Sequence, residues 1–244
     1  MAQEPSRVRQ DQGLIPKRAI FYWSGAEPTP LRSLSWESFA ALNPSWEILM
    51  LGEPGTVASY RETVVKSDLL RYKALYEHGG YYFDTDIVFR KPIPDSWLNH
   101  DNACVLLQEG CAQGVAILGA KQGSSLWGSV YGIAQARSEC PIMLDCQALG
   151  IKLLHNLDGY PTDLRAYAAK MGEGVFGVPS SAFFPFGACN VEMLWSPGYR
   201  PLTSECLGVH WFGGDRLSQE MEALPELPDC LVKSAMDEAM SLTK

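Results

Sequence analysis

Two aspartates one residue apart, Asp84 and Asp86, close a short aromatic run, Tyr81-Tyr82-Phe83. On an extended backbone residues i and i+2 point the same way, so both carboxylates can face one centre. Carboxylates at the end of a buried strand are costly unless a cation neutralises them. Mg²⁺ or Mn²⁺ is typically held by one or two carboxylates plus substrate phosphates, not by an all-protein cage. The pair therefore implies a metal-dependent enzyme acting on a phosphorylated, nucleotide-linked substrate. Taken alone, D-x-D is also a common polar turn after a strand.

Upstream, Asp68 and Arg71 are three residues apart, close enough to touch on a helix. One reading is a surface ion pair of little worth. The other is a helix aimed at the site, with Asp68 orienting Arg71, whose planar fork matches oxyanions.

The elements that must position these groups follow from the pattern. A helix is expected over residues 63–78, with Leu69, Tyr72 and Tyr76 on one face and Gly79 as a left-handed C-terminal residue. Strands are expected at 18–23, 46–51, 81–83, 104–107, 115–118, 175–179 and 207–212, with 87–89 continuing the strand beyond the acidic pair. Helices are expected at 31–42, 125–137, 145–155, 162–171 and 229–242. Mixed strands and helices without a clear linker predict an α/β fold, its site beyond the carboxyl ends of the strands.

Bulk properties narrow the function classes. The chain has 244 residues, 46% of them hydrophobic, and a net charge of −8. That charge disfavours general nucleic-acid binding and anionic membranes. Residues 1–14 read as a disordered leader without a signal peptide's apolar stretch, and no run is long enough for a transmembrane segment. Seven cysteines without a C-x-x-C pair suit reduced thiols and a cytoplasmic protein.

Ile15-Pro16-Lys17, Trp23-x-Gly25, Asn43-Pro44, Ser67-Asp68-x-x-Arg71 and Gly79-Gly80-x-Tyr82-x-Asp84-x-Asp86 occur in one order. The series resembles the DXD-containing glycosyltransferases with a "sugar-binding region" (family 32-like). That family includes initiating mannosyltransferases, capsular-polysaccharide transferases and, more distantly, the glucosylating domains of large clostridial toxins. The resemblance covers roughly residues 15–94. It implies a GT-A (nucleotide-diphospho-sugar transferase) fold, a Rossmann-like mixed sheet flanked by helices, over residues 15–244. Residues 15–120 would be the nucleotide-sugar-binding half and 121–244 the acceptor-side and closing-loop half.

The implied site follows from the same resemblance. Trp23, beside Gly25, would stack on the donor base; Asp68 and Arg71 would hold donor sugar or ribose. Asp84 would contact sugar and ribose and help order Mn²⁺ or Mg²⁺, and Asp86 would be the principal metal ligand. The catalytic set would be Asp84, Asp86 and Arg71, and transfer would retain the anomeric configuration. His210-Trp211-Phe212-Gly213-Gly214 looks like the closing loop, without the usual Ser-Trp ending. His210 is open to two readings, a metal or diphosphate contact and a partly buried strand-end histidine. Gln113-Gly114 and Cys140-Pro141 depart from the family's usual asparagine and Gly-Pro. Phe183-Phe184-Pro185-Phe186 resembles an aromatic-proline segment and reads as core. Glu109, Asp145, Glu192 and His210 are the candidate bases if transfer inverts.

The donor is expected to be a nucleotide-diphospho-sugar. The acceptor is left among glycan, lipid, protein and modified base. Two alternatives remain: a haloacid-dehalogenase-like phosphohydrolase using Asp84 as nucleophile, with Gly214-Asp215 near its second acidic element, and a non-catalytic nucleotide-sugar-binding module.

Overall fold

The computed structural model describes residues 14–52, 55, 59–108, 112–139, 147–198 and 202–242. The expected leader, apart from Leu14, lies outside them, as do Glu109, Cys111, Cys140, Pro141, Asp145 and Cys146. The strands are β1 (Arg18–Tyr22), β2 (Glu47–Leu51), β3 (Gly80–Phe83), β4 (Ile87–Phe89), β5 (Asn102–Gln108), β6 (Ala112–Ala120), β7 (Val175–Pro179) and β8 (Gly208–His210). The helices are α1 (Pro30–Leu42), α2 (Tyr60–His78), α3 (Ser125–Ser138), α4 (Ile151–Leu154), α5 (Leu164–Ala169), α6 (Glu192–Trp195), α7 (Arg216–Glu222) and α8 (Leu231–Leu242).

Six strands form a mixed sheet in the order β2-β1-β3-β6-β5-β7. β1 runs parallel to β2 and β3, β6 is antiparallel to β3 and β5, and β7 is parallel to β5. Period-two alternation splits the strand side chains between two cores. Phe21, Tyr81 and Phe83 join Phe39 of α1 on one face. Ile20, Tyr22 and Tyr82 meet Tyr72 of α2 and Trp127 of α3 on the other.

α2 differs from expectation in an instructive way. It begins at Tyr60 because Ser59 and Glu62 close a capping box. Its buried face carries Ser67, Asp68 and Arg71 beside Tyr72 and Leu75, while Tyr76 is exposed. Gly79 has φ 64° and ψ 178°, positive in φ but extended in ψ. A Cβ there would lie 2.6 Å from the Gln122 nitrogen.

Ile87–Phe89 does not prolong β3. It leaves the large sheet and pairs antiparallel with β8, Ile87 opposite His210. Its other edge is satisfied by α1: the Ile87 and Phe89 N–H groups donate to Ser35 Oγ and Ser38 Oγ at 3.1 Å. The helix expected at 145–155 is, among the described residues, only α4 after a turn at 147–150. No helix among the described residues is long and apolar enough to cross a membrane.

Glu173 fixes the start of α3. Its carboxylate accepts from the Ser125 N–H at 2.8 Å, the Leu126 N–H at 3.1 Å, Ser124 Oγ at 2.9 Å and Asn102 Nδ2 at 3.0 Å. Burial raises its pKa, but these bonds outweigh it and hold the group at about 2. The unfolded chain therefore takes up this proton first as pH falls from 4.5 toward about 2. The stabilisation is full above that window and lost through it. Glu173→Gln should cost about 1–3 kcal/mol at pH 7. Urea unfolding should show the gap to the parent protein narrowing as pH falls from 4.5 toward about 2, since the unfolded parent chain is protonated there while the folded one still holds the charge.

Candidate functional site

A cavity of about 750 Å³ opens beyond the carboxyl ends of β1 and β3. Trp23, Asp68, Arg71, Asp84, Asp86 and His210 all line it. Of the expected donor-site residues, Gly25 is not part of the lining. It shapes the turn after β1, with φ 109° and its carbonyl accepting from the Gly55 N–H.

The first group is built from α2 and the end of β3. Arg71 Nη2 lies 3.1 Å from Asp68 Oδ1 and 3.3 Å from Asp84 Oδ1, and its Nη1 donates to the Val115 carbonyl at 2.7 Å. The guanidinium sits over the Tyr82 ring, 4.5 Å from its centroid. The Asp68 and Arg71 side chains are only 3% and 6% exposed, which rules out a surface ion pair. Burial pushes the Asp68 carboxyl up to about 6, against the pull of Arg71 and with a push from Asp84. Burial also raises Asp84, again opposed by Arg71.

The second group joins β4 to β8. Asp86 Oδ2 accepts from the Gly213 N–H at 2.7 Å, and Asp86 Oδ1 lies 3.1 Å from His210 Nε2. Burial raises Asp86, but His210, Arg32 and the Gly213 N–H together pull it well below the usual carboxylate range. Burial lowers His210, and Asp86 more than reverses this, so the imidazole titrates above its ordinary value.

One oxygen from each aspartate and one His210 nitrogen lie within 4.8 Å of one another. Asp86 Oδ1 and His210 Nε2 are buried and lack a hydrogen-bond partner, despite their closeness. Two carboxylate oxygens and an imidazole nitrogen suit Mn²⁺, and Mg²⁺ through the oxygens. The Phe212 N–H points at His210 Nδ1 at 3.2 Å. Ligation through Nε2 would place the proton on Nδ1, the tautomer that the Phe212 N–H opposes in this geometry.

Trp23 projects from the end of β1, its Nε1 donating to the Ala26 carbonyl at 3.0 Å. A Cβ at Gly52 would overlap the Trp23 carbonyl. Phe183 is core, as expected, but Phe184 lines the cavity and packs on His210 with centroids 4.8 Å apart. Asp215 caps α7, accepting from the Leu217 N–H at 2.9 Å. Glu192 is exposed on α6. Sequence reasoning missed Arg32, Glu222 and the Gly213 N–H. Gly213 stood in a quoted motif, while Arg32 and Glu222 are 190 residues apart and carry no local signal.

The family model for a glycosyltransferase sugar-binding region containing a DXD motif matches residues 31–104. No curated protein sequence matches the chain. Among solved structures, the glycosyltransferase GlyE of Streptococcus pneumoniae TIGR4 superposes with a TM-score of 0.51 at 12% identity, over 93% of this chain and 62% of GlyE. The chain thus spans less than two thirds of GlyE, and the likeness is one of fold. The galactosyltransferase LgtC, solved with donor and acceptor sugar analogs, gives 0.47 at 12% identity over 93% and 96% of the two chains. The PaToxG glycosyltransferase gives 0.45 at 13% identity over 65% and 74%. The match to the sugar-binding region takes in Asp68, Arg71, Asp84 and Asp86, and the fold is similar to that of the glycosyltransferase GlyE.

Proposed function

We propose that the cavity takes a nucleoside-diphospho-sugar together with a divalent cation, and transfers the sugar to an acceptor hydroxyl with retention. The observation that carries this reading is the meeting of Asp84, Asp86 and His210 in one cavity with Trp23 and Arg71. In this reading Asp86, Asp84 and His210 hold Mn²⁺ or Mg²⁺. When bound, the cation offsets the charge that develops on the departing diphosphate. Trp23 offers its ring to the base, and Asp68, Arg71 and Asp84 face the donor sugar and ribose. The Gly213 N–H fixes Asp86, and Arg71 fixes Asp84, so the acidic pair needs little rearrangement during reaction.

Retention is supported by the occupation of the lining acids. Asp68 and Asp84 share Arg71, Asp86 is held by Gly213, and Asp215 caps a helix. Glu222 is likewise paired, with Arg32, so each of these described lining acids already has a partner and is not free to act as a base. In a retaining transfer the anomeric carbon–phosphate oxygen bond breaks and the acceptor oxygen bonds on the same face. The leaving diphosphate takes the acceptor's proton, and the enzyme supplies positioning.

Residues 15–120 supply most of the donor wall; His210 and Gly213 come from the half assigned to the acceptor side. Free thiols at Cys104, Cys189, Cys206 and Cys230 support a cytoplasmic setting.

The test is a panel of nucleotide sugars with and without Mn²⁺ or Mg²⁺, followed by an NMR assignment of the first-formed product. Cation-dependent turnover of one donor and a first product with the donor's own anomeric configuration are expected. An inverted product rejects retention. Donor binding without turnover under every condition favours the non-catalytic module.

A further inference from the structure

We propose that Arg32 and Glu222 form a clasp that positions the segment Trp211–Gly214 over the acidic pair, making Arg32 a positioning residue for Asp86. The proposal rests on the metal-dependent reading above for its first readout. Arg32 lies on the first turn of α1 and Glu222 at the last residue of α7, so the pair ties opposite ends of the chain across the cavity.

The contacts are specific and buried. Arg32 Nε lies 3.0 and 3.2 Å from the two Glu222 oxygens, with side chains only 14% and 9% exposed. Thr29, the N-cap of α1, donates its hydroxyl to Glu222 Oε1 at 2.5 Å. Arg32 Nη1 points at the carbonyl of Thr85, the residue between the two aspartates, at 3.4 Å. The guanidinium carbon lies 5.8 Å from the Trp23 ring centroid and 5.4 Å from that of Trp211. One planar cation thus touches the backbone of the acidic pair, the expected base platform and the closing segment at once. A Cβ on Gly213 would overlap this guanidinium, so a side chain there can keep the Gly213 N–H on Asp86 only by displacing the Arg32 head from its contacts.

This arrangement explains why the two residues form a pair rather than a free phosphate-binding arginine. Glu222 neutralises Arg32, leaving it to fix geometry. A lysine cannot reproduce the contacts, because a point charge lacks the fork and the flat face.

The experiment uses the full chain and Mn²⁺ with UDP or GDP as probe, read by tryptophan fluorescence. Arg32→Lys and Gly213→Ala should each raise the Mn²⁺ concentration for half-maximal nucleotide binding by about 10- to 100-fold, as is typical for loss of a ligand-orienting partner. Glu222→Gln should fall between them and the parent, and Arg32→Lys/Glu222→Gln should be no worse than Arg32→Lys alone. A fall in melting temperature with unchanged Mn²⁺ half-saturation in the folded variants overturns the proposal and leaves a structural ion pair. If the parent protein binds neither nucleotide with any divalent cation, the functional reading fails first. Amide exchange over Trp211–Gly214 in Arg32→Lys then decides: faster exchange supports the clasp, and unchanged protection overturns it.

Discussion

Asp86→Asn is expected to lower donor turnover about 100- to 1,000-fold while leaving the protein folded. The size follows from what the carboxylate is proposed to do. A cation that stabilises the leaving diphosphate contributes several kcal/mol, and the neutral amide is a much poorer ligand for it. The fold should survive because the asparagine oxygen can still accept the Gly213 N–H that Asp86 now takes at 2.7 Å. Asp86→Ala is a less clean test, since it orphans that buried N–H at a cost of about 1–3 kcal/mol. Steady-state donor hydrolysis, titrated with Mn²⁺ and checked by thermal unfolding, separates the two effects. Near-parental turnover in a folded Asp86→Asn protein would remove this carboxylate from the site.

How much of this was legible depends on whether the signal was local. Tyr81-Tyr82-Phe83 alternates between two cores, and its exit into Asp84-x-Asp86 is a short-range pattern that can be read directly. β7 falls at the expected residues 175–179, bounded by turn formers. The Ser59-x-x-Glu62 box was equally local and could have placed the start of α2 at Tyr60.

What failed was long-range. Ile87–Phe89 reads as a strand on any pattern, but nothing near it says that its partner is 208–210 rather than the sheet it follows. That pairing is what brings His210 to Asp86, so the proposed third ligand was nameable only by resemblance. α2 misled for another reason. An apolar stripe was expected to face the core, yet Asp68 and Arg71 are buried there because they neutralise each other and Asp84. A buried polar face breaks the rule that periodicity relies on, and such a departure is itself a mark of a functional surface. Arg32 and Glu222 are ordinary helix residues until the fold joins them.

Arg71→Met should cost about 3–5 kcal/mol, the usual loss when one partner of a buried ion pair is removed. Against the roughly 5–15 kcal/mol that holds a domain together, that is a large share of the stability, and it should lower the melting temperature by several degrees or more. Arg71→Lys should fold better and still turn donor over poorly. The ammonium can approach Asp68 or Asp84 but cannot also bond the Val115 carbonyl, now held at 2.7 Å. The pH dependence gives a second signature. Asp68 is raised to about 6 from 3.8, so between those values the folded protein binds more protons than the unfolded chain. Stability from this group therefore falls as pH rises through the window and is lowest above it. Weakening Arg71 raises both buried carboxyls further and steepens that fall. Melting temperatures of Arg71→Lys relative to the parent should thus drop more at pH 8 than at pH 5. A deficit that is equal at both pH values, with normal donor kinetics, would mean that Arg71 only fills space beneath Tyr82 and does not hold Asp84 in place.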